Sequence, residues 1–282
     1  MERVTQMENM PAESERSHHR APPRLLKKIY SRQGIVYGPV PSRRLGLSLG
    51  INLLPTAYKV CSFNCLYCQY GWTKKRLQAP SQLQHLPSVD EVATAIESAL
   101  VELSSEANAI ESFAICGNGE PTHYPQLGEL IAAVKALRDR YQSQARVAIL
   151  SNSSTVGSPS VRATLDIVDL RIMKFDAGSE EMFCRLNHPS APVYMGEIIA
   201  GLKALKNIYL ESLFVRGRIT NADPDSVQMW VEKVREIQPL GVQLYTLDRE
   251  PVDKQIEKVS HTTLEWIANE VRWRAGVPAE IF

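Results

Sequence analysis

From about Ile35 onward, short apolar runs alternate with stretches whose apolar residues recur every three or four positions. Leu45–Leu54, Ser112–Cys116, Val147–Leu150, Leu170–Phe175, Tyr209–Val215 and Val242–Leu247 have the length and composition of buried strands. Between them come helical stripes: Val89, Val92, Ala93, Ile96 and Leu100; Leu127, Leu130, Ile131, Val134 and Leu137; Val227, Trp230, Val231 and Val234; and, last, Leu264, Ile267 and Val271. Helical patterns also cover Glu180–Leu186 and Met195–Leu205. Several starts are marked chemically. Ser88 and Glu91 form a capping box, and Ser158-Pro159 and Asp223-Pro224 each set a capping side chain before a first-turn proline.

Six strand–helix units in succession predict an α/β chain with parallel strands joined by right-handed crossovers. Two architectures share this alternation, a six-unit partial barrel and a doubly wound sheet. In both, ligands belong at the C-terminal ends of the strands. A partial barrel would be open along one side, wide enough to admit a large substrate. Residues 1–33 lack the pattern and read as a short, basic, flexible tail, with six Lys/Arg and no acid between Arg16 and Arg32.

Composition narrows the class only a little. Hydrophobic residues make up 44% and charged residues 22% of the 282, and the net charge is +1, so no global field points to nucleic acid or an anionic membrane. No apolar run approaches the roughly 18 residues of a membrane span, and the N-terminus has no secretory signal pattern. A cytoplasmic location is expected. Five cysteines cannot all pair, and three of them fall within eight residues.

That cluster is Cys61-Ser-Phe-Asn-Cys65-Leu-Tyr-Cys68, directly after the first predicted strand. Thiolates are the usual ligands of iron–sulfur clusters, and three on one short loop would leave the fourth iron of a [4Fe–4S] cubane open. A structural zinc site wants a fourth Cys or His nearby, and His85 and Cys116 are distant in sequence. Spacing alone leaves iron–sulfur, zinc and a redox dithiol open. The end of the next strand carries Cys116-Gly117-Asn118-Gly119-Glu120-Pro121-Thr122, where glycines allow close backbone approach and a carboxylate can meet a cation.

Together these two motifs resemble the radical S-adenosylmethionine (SAM) superfamily. The resemblance implies a partial (β/α)6 TIM-type barrel over residues 34–282. It implies a [4Fe–4S] cluster on Cys61, Cys65 and Cys68, with SAM chelating the fourth iron. Tyr67 would lie beside the adenine, and Gly117, Asn118, Gly119, Glu120 and Pro121 would hold the SAM ammonium. The chain departs from the usual Gly-Gly-Glu-Pro by placing Asn118 between the glycines. At later strand ends, Ser151 and Asn152 would face SAM, and Lys174 and Asp176 its ribose or carboxylate. Lys174, in an apolar strand, needs solvent or a partner. Arg216, Gln243, Tyr245 and Asp248 are read either as cavity residues or as satisfied structural groups, and Cys116 and Cys184 as incidental thiols.

Tyr37-Gly-Pro-Val-Pro-Ser-Arg43-Arg44-Leu-Gly46, Leu186-Asn-His-Pro189 and Thr246-Leu-Asp-Arg249 narrow the resemblance to a branch related to the enzymes forming the wyosine base of tRNA. The activity implied is reductive cleavage of SAM to a 5′-deoxyadenosyl radical that takes hydrogen from a substrate. The electron would come from a flavodoxin- or ferredoxin-like donor. The substrate could be a small molecule, RNA or a protein, and the competing class is a non-catalytic iron–sulfur or zinc module. Lys74-Lys75-Arg76 is read as a contact for phosphates or an acidic donor, or as a solvated run.

Overall fold

The computed structural model describes residues 34–76, 83, 86–104, 109–190 and 193–282, and the tail expected at 1–33 lies outside them. Eight strands make one sheet. The chain enters through β1 (Val36–Ser42), which pairs antiparallel with β2 (Gly46–Ile51). A short parallel pair, β3 (Val60–Cys61) and β4 (Lys75–Arg76), brackets the cysteine loop. Then come α1 (Val89–Ser104), β5 (Ser112–Ile115), α2 (Leu127–Tyr141), β6 (Arg146–Ser151), α3 (Pro159–Asp166), β7 (Leu170–Lys174), α4 (Glu180–Asn187) and α5 (Met195–Ala204). The remainder is β8 (Ile208–Leu213), β9 (Val215–Gly217), α6 (Pro224–Ile237), β10 (Gly241–Tyr245), β11 (Ile256–Lys258), α7 (His261–Glu270) and β12 (Ala279–Ile281).

Strand order in the sheet is β1-β2-β5-β6-β7-β8-β10-β12, parallel from β2 onward. Each parallel strand therefore neighbours the one before it, which is barrel winding; a doubly wound sheet would reverse direction partway. β1 and β12 are two strands beyond the six expected. β12 extends the parallel run, and β1 covers the opposite edge. Among the described residues no helix is long and apolar enough to cross a membrane.

Period-two alternation sorts the strand residues into two layers. Phe113, Ile115, Val147, Ile149, Met173, Leu210, Val242 and Leu244 pack outward against the helices. Ala114, Ala148, Leu170 and Ile172 face inward with Leu45. The same alternation turns Lys174, Glu211, Gln243 and Tyr245 inward, so the lumen changes from small and apolar to charged across the sheet. Helix starts follow their capping chemistry. Glu91 N–H donates to Ser88 Oγ at 3.2 Å, and the Asp223 carboxylate accepts from Ser226 N–H at 3.0 Å. Trp230 of α6 is buried, meets Phe214 edge-on at 5.1 Å and donates its indole N–H to the Phe175 carbonyl at 2.9 Å. That contact holds α6 over the end of β7.

The turn between β1 and β2 bridges the side left open by the partial barrel. Arg43 pairs with Asp248 beyond β10, and Arg44 pairs with Glu211 of β8 with its guanidinium 5.1 Å over the Tyr245 ring. The lateral opening expected from six units is thus spanned by two arginines.

Candidate functional site

The cysteine loop leaves β3 at the C-terminal end of the sheet. Cys61 and Cys65 are buried and Cys68 is half-buried; all are free thiols. The loop is tied down at several points. Thr73 N–H donates to Asn64 Oδ1 at 2.6 Å, Leu66 N–H to the Leu186 carbonyl at 3.1 Å, and Asn64 N–H to the Asn187 carbonyl at 2.9 Å. Phe63 packs edge-on against Phe183 of α4 at 5.3 Å. Two side-chain amides aim at the buried sulfurs: Asn152 Nδ2 lies 3.4 Å from Cys61 Sγ, and Asn187 Nδ2 lies 3.5 Å from Cys65 Sγ.

Burial pushes the Cys61 thiol up to about 12, with the nearby Lys59 charge pulling against it, and burial raises Cys65 as well. Among the described residues no three His, Cys, Asp or Glu side chains converge closely enough to hold a single metal ion. A cubane asks for wider spacing, because each thiolate binds a different iron. The donor set fits such a cluster: three cysteines on an anchored loop, two of their sulfurs facing N–H donors. His85, considered above as a fourth ligand, lies outside the described residues.

The glycine-rich turn after β5 is the seat of this loop. Val60 N–H donates to the Asn118 carbonyl at 3.2 Å, and Val60 bridges Gly119. Gly119 has φ +152°, and a Cβ there would stand 1.7 Å from the Val60 carbonyl oxygen, so only glycine fits. The asparagine between the glycines has its own partners: Asn118 Nδ2 donates to the carbonyls of Pro55 (2.7 Å) and Tyr58 (3.0 Å), fixing the approach to the cysteine loop. Pro121 opens a short 3-10 turn, Pro121–His123.

Glu120 is 1% exposed. Its Oε1 accepts from Thr122 N–H (3.0 Å), Thr122 Oγ1 (2.6 Å) and Ser151 Oγ (2.8 Å), and its Oε2 accepts from Asn152 N–H (2.5 Å). Burial raises its carboxyl, and these four bonds pull it back. Glu120 is therefore a brace between the ends of β5 and β6, a role its sequence context does not announce. Ser151 and Asn152 are drawn to it through that brace, and Asn152 also donates to Ser62 Oγ at 3.0 Å.

A charged network continues across β7, β8 and β10. Lys174 Nζ lies 2.6 Å from Tyr245 OH, 3.1 Å from Glu211 and 3.9 Å from Asp176, with the Tyr67 and Tyr245 rings 5.3 and 5.2 Å away. Burial opposes the Lys174 charge, but Asp176 and Glu211 outweigh it and push the pKa well up. Burial likewise works against the Glu211 carboxylate, yet Lys174 and Arg44 hold it down to about 2. Tyr67 OH donates to Asp176, and Asn187 Nδ2 joins them at 2.9 and 2.8 Å. Two cations and two anions thus balance in the lumen, next to the cysteine loop.

Of the residues expected from sequence, Cys61, Cys65, Cys68, Tyr67, Gly117 to Pro121, Ser151, Asn152, Lys174 and Asp176 lie along one connected set of strand ends and loops. Gln243 and Tyr245 join the network, Gln243 by accepting from Arg44 at 3.5 Å. Arg216 does not; it is exposed and pairs with Glu257 across β9 and β11. Asp248 is at the rim, on Arg43. Cys184 is exposed, whereas Cys116 is half-buried with its sulfur 3.0 Å from Tyr37 OH. Lys59 and Glu211 belong to none of the sequence motifs, and Arg44 and Asn187 enter only as members of the Tyr37–Gly46 and Leu186–Pro189 stretches. Glu211 carried a signal of the same kind as Lys174, a charge inside an apolar strand.

No family profile matches the chain. Among solved structures, a radical SAM methyltransferase from Sphaerobacter thermophilus superposes with a TM-score of 0.64 at 13% identity, covering 88% of this chain and 68% of that one. SuiB from Streptococcus suis bound to S-adenosylmethionine gives 0.58 at 13% identity, over 83% of this chain and 50% of that one. TYW1 with a lysine–pyruvate adduct bound gives 0.54 at 16%, over 80% and 72%. The fold is the partial barrel of the radical SAM enzymes. A UPF0026 protein of Helicobacter pylori is 31% identical over 235 residues, 82% of this chain and 71% of that protein, and one of Synechocystis is 29% identical over 231 residues, 80% and 81%. The chain belongs to the UPF0026 family. A protein named GTPase Obg from Brachyspira hyodysenteriae is 31% identical over 234 residues, and there the match spans 82% of this chain but only 32% of the relative.

Proposed function

We propose that the chain is a radical SAM enzyme that cleaves SAM reductively. The observation that carries the reading is the seating of the Cys61–Cys65–Cys68 loop on the Gly119–Glu120–Pro121 turn, with amide donors on both buried sulfurs. Cys61, Cys65 and Cys68 would hold a [4Fe–4S] cluster with one iron left for the methionyl end of SAM. The chemistry such a cluster would supply is one-electron reduction of the SAM sulfonium, which would give methionine and a 5′-deoxyadenosyl radical able to take hydrogen from a substrate.

The chain's own residues bind, orient and exclude water. The backbone carbonyls of Gly117 to Pro121 and the Glu120 carboxylate would meet the SAM ammonium, in a turn fixed by Asn118 and by the bonds to Glu120. Tyr67 offers a ring for the adenine, its hydroxyl anchored on Asp176. Ser151 and Asn152 frame the same strand end. Lys174 stays an ammonium between Asp176 and Glu211, which suits contact with a carboxylate or ribose oxygen and is unsuited to nucleophilic attack. The electron donor in this reading is a flavodoxin- or ferredoxin-like protein, and the substrate is a small molecule, a tRNA or a partner protein.

Anaerobic protein given iron, sulfide, dithionite and SAM should form methionine and 5′-deoxyadenosine in equal amounts. Cys61→Ala, Cys65→Ala and Cys68→Ala should each abolish both products, and the exposed Cys184→Ala should not. Equal product formation by a Cys65→Ala protein would sink the reading.

A further inference from the structure

Lys59, two residues before Cys61, is 5% exposed. Its ammonium donates to the Gly71 carbonyl at 3.3 Å, and among the described residues no carboxylate reaches it at ion-pair distance. A buried ammonium is costly unless an opposite charge meets it. The sulfurs nearest to it along the chain are those of Cys61 and Cys65, at the start of the loop whose Gly71 carbonyl it holds.

Two neutral donors face the same pair of atoms. Asn152, just past β6, points Nδ2 at Cys61 Sγ (3.4 Å), and Asn187, the last residue of α4, points Nδ2 at Cys65 Sγ (3.5 Å). Both amides are held in that orientation. Asn152 Oδ1 accepts from Ser154 N–H at 2.9 Å, while its Nδ2 also reaches Ser62 Oγ at 3.0 Å. Asn187 Nδ2 bonds Asp176 at 2.8 Å, and the reverse orientation would set Oδ1 against that carboxylate and the sulfur. The oxygen is instead left buried with no partner among the described residues. Leaving an acceptor unsatisfied is unfavourable, so the direction of the N–H bonds is what the site retains.

Three thiolates outweigh the charge of an oxidised [4Fe–4S] core by one unit and that of a reduced core by two. A fixed cation and fixed N–H donors therefore stabilise the reduced form more than the oxidised one. We infer that Lys59, Asn152 and Asn187 are positioning residues that raise the reduction potential of the cluster on Cys61, Cys65 and Cys68. They do so with one buried cation and one N–H donor on each buried sulfur. The inference rests on the cluster reading given above.

An anaerobic redox titration followed by EPR, with iron and sulfide measured in every sample, tests it on the reconstituted full chain and on Lys59→Met, Asn152→Ala and Asn187→Ala. Each variant should keep its iron and shift the ratio of oxidised to reduced cluster at a given potential about tenfold toward oxidised, which is about 59 mV more negative for a one-electron couple. Asn187→Asp, of the same shape but without N–H donors, should move further the same way. Full clusters with unchanged or more positive potentials overturn the inference and leave the cluster reading standing. Loss of the cluster in all three single variants also overturns it, because the residues would then be structural. A wild-type chain that takes up no cluster overturns both.

Discussion

Glu120 offers the sharpest separation between holding the fold and holding a ligand. Replacing it by Ala removes the acceptor for two backbone donors, Thr122 N–H and Asn152 N–H, and for two hydroxyls. The hydroxyls have other partners: Thr122 Oγ1 reaches Thr155 Oγ1 at 2.5 Å, and Ser151 Oγ accepts from Ser153 N–H at 3.1 Å. Among the described residues the backbone donors have no other partner, and each orphaned donor costs about 1–3 kcal/mol. Glu120→Ala should therefore lose about 4 kcal/mol, a large part of the roughly 5–15 kcal/mol that holds a domain folded. For a domain of this size that is a fall in Tm of about 8–16 °C. Glu120→Gln keeps Oε1 and its three bonds but turns an NH2 toward Asn152 N–H, so only about 1–3 kcal/mol should go. Both variants lack the carboxylate charge, and a charge-assisted contact to the SAM ammonium is worth about ten- to a hundredfold in affinity. Circular-dichroism melts of the unreconstituted chains, followed by anaerobic calorimetry of SAM binding to the reconstituted Gln variant, read the two roles separately. An Ala variant that melts with the wild type refutes the brace. A Gln variant that binds SAM normally refutes the cation contact.

Glu211 carries a pH signature. Its ordinary pKa of about 4.5 falls to about 2 in the fold because Lys174 and Arg44 outweigh burial. A depressed carboxyl lends stability above its unfolded pKa and loses it as pH falls through the folded one, so urea-unfolding free energy should decline between about pH 4.5 and pH 2, by at most about 3 kcal/mol from this group. Glu211→Gln should flatten that decline; an identical slope in the variant would remove Glu211 as its cause. Arg44→Met should lower Tm by about 2–12 °C, since it deprives a buried carboxylate of one of two cations, a loss of about 1–3 kcal/mol for a partly exposed partner. A scanning-calorimetry trace unchanged from wild type would show that the bridge across the barrel opening contributes nothing.

What could be read from the sequence was local. Ser88 with Glu91 and Asp223-Pro224 placed helix starts within a residue, because capping chemistry is complete within one turn, whereas at Ser158-Pro159 the proline marks the start and the Ser158 side chain makes no cap bond. The cysteine triplet and the Gly119–Glu120–Pro121 turn were legible for the same reason. Strand order was not, since alternation is shared by barrels and doubly wound sheets and only pairing separates them. β1 was hidden by Pro39 and Pro41, which suit an edge strand and argue against a central one, and β12 has three residues, too few for a period. The lumen network was half visible. Lys174 stood out in an apolar strand, but its partner Glu211 and the Arg44–Glu211 pair, 167 residues apart, depend on register that no spacing encodes. Asn118, an interruption as sequence, is the residue that fixes the turn.

The central claim is that Cys61, Cys65 and Cys68 hold a SAM-binding [4Fe–4S] cluster. Anaerobic reconstitution with iron and sulfide, chemical reduction and EPR with and without SAM tests it most directly. The account predicts close to the four irons and four sulfides of one cubane per chain, with a reduced signal whose g-values move when SAM is added, because SAM would occupy the one iron without a thiolate. Stoichiometric zinc after anaerobic purification, together with a reconstituted signal indifferent to SAM, would contradict it.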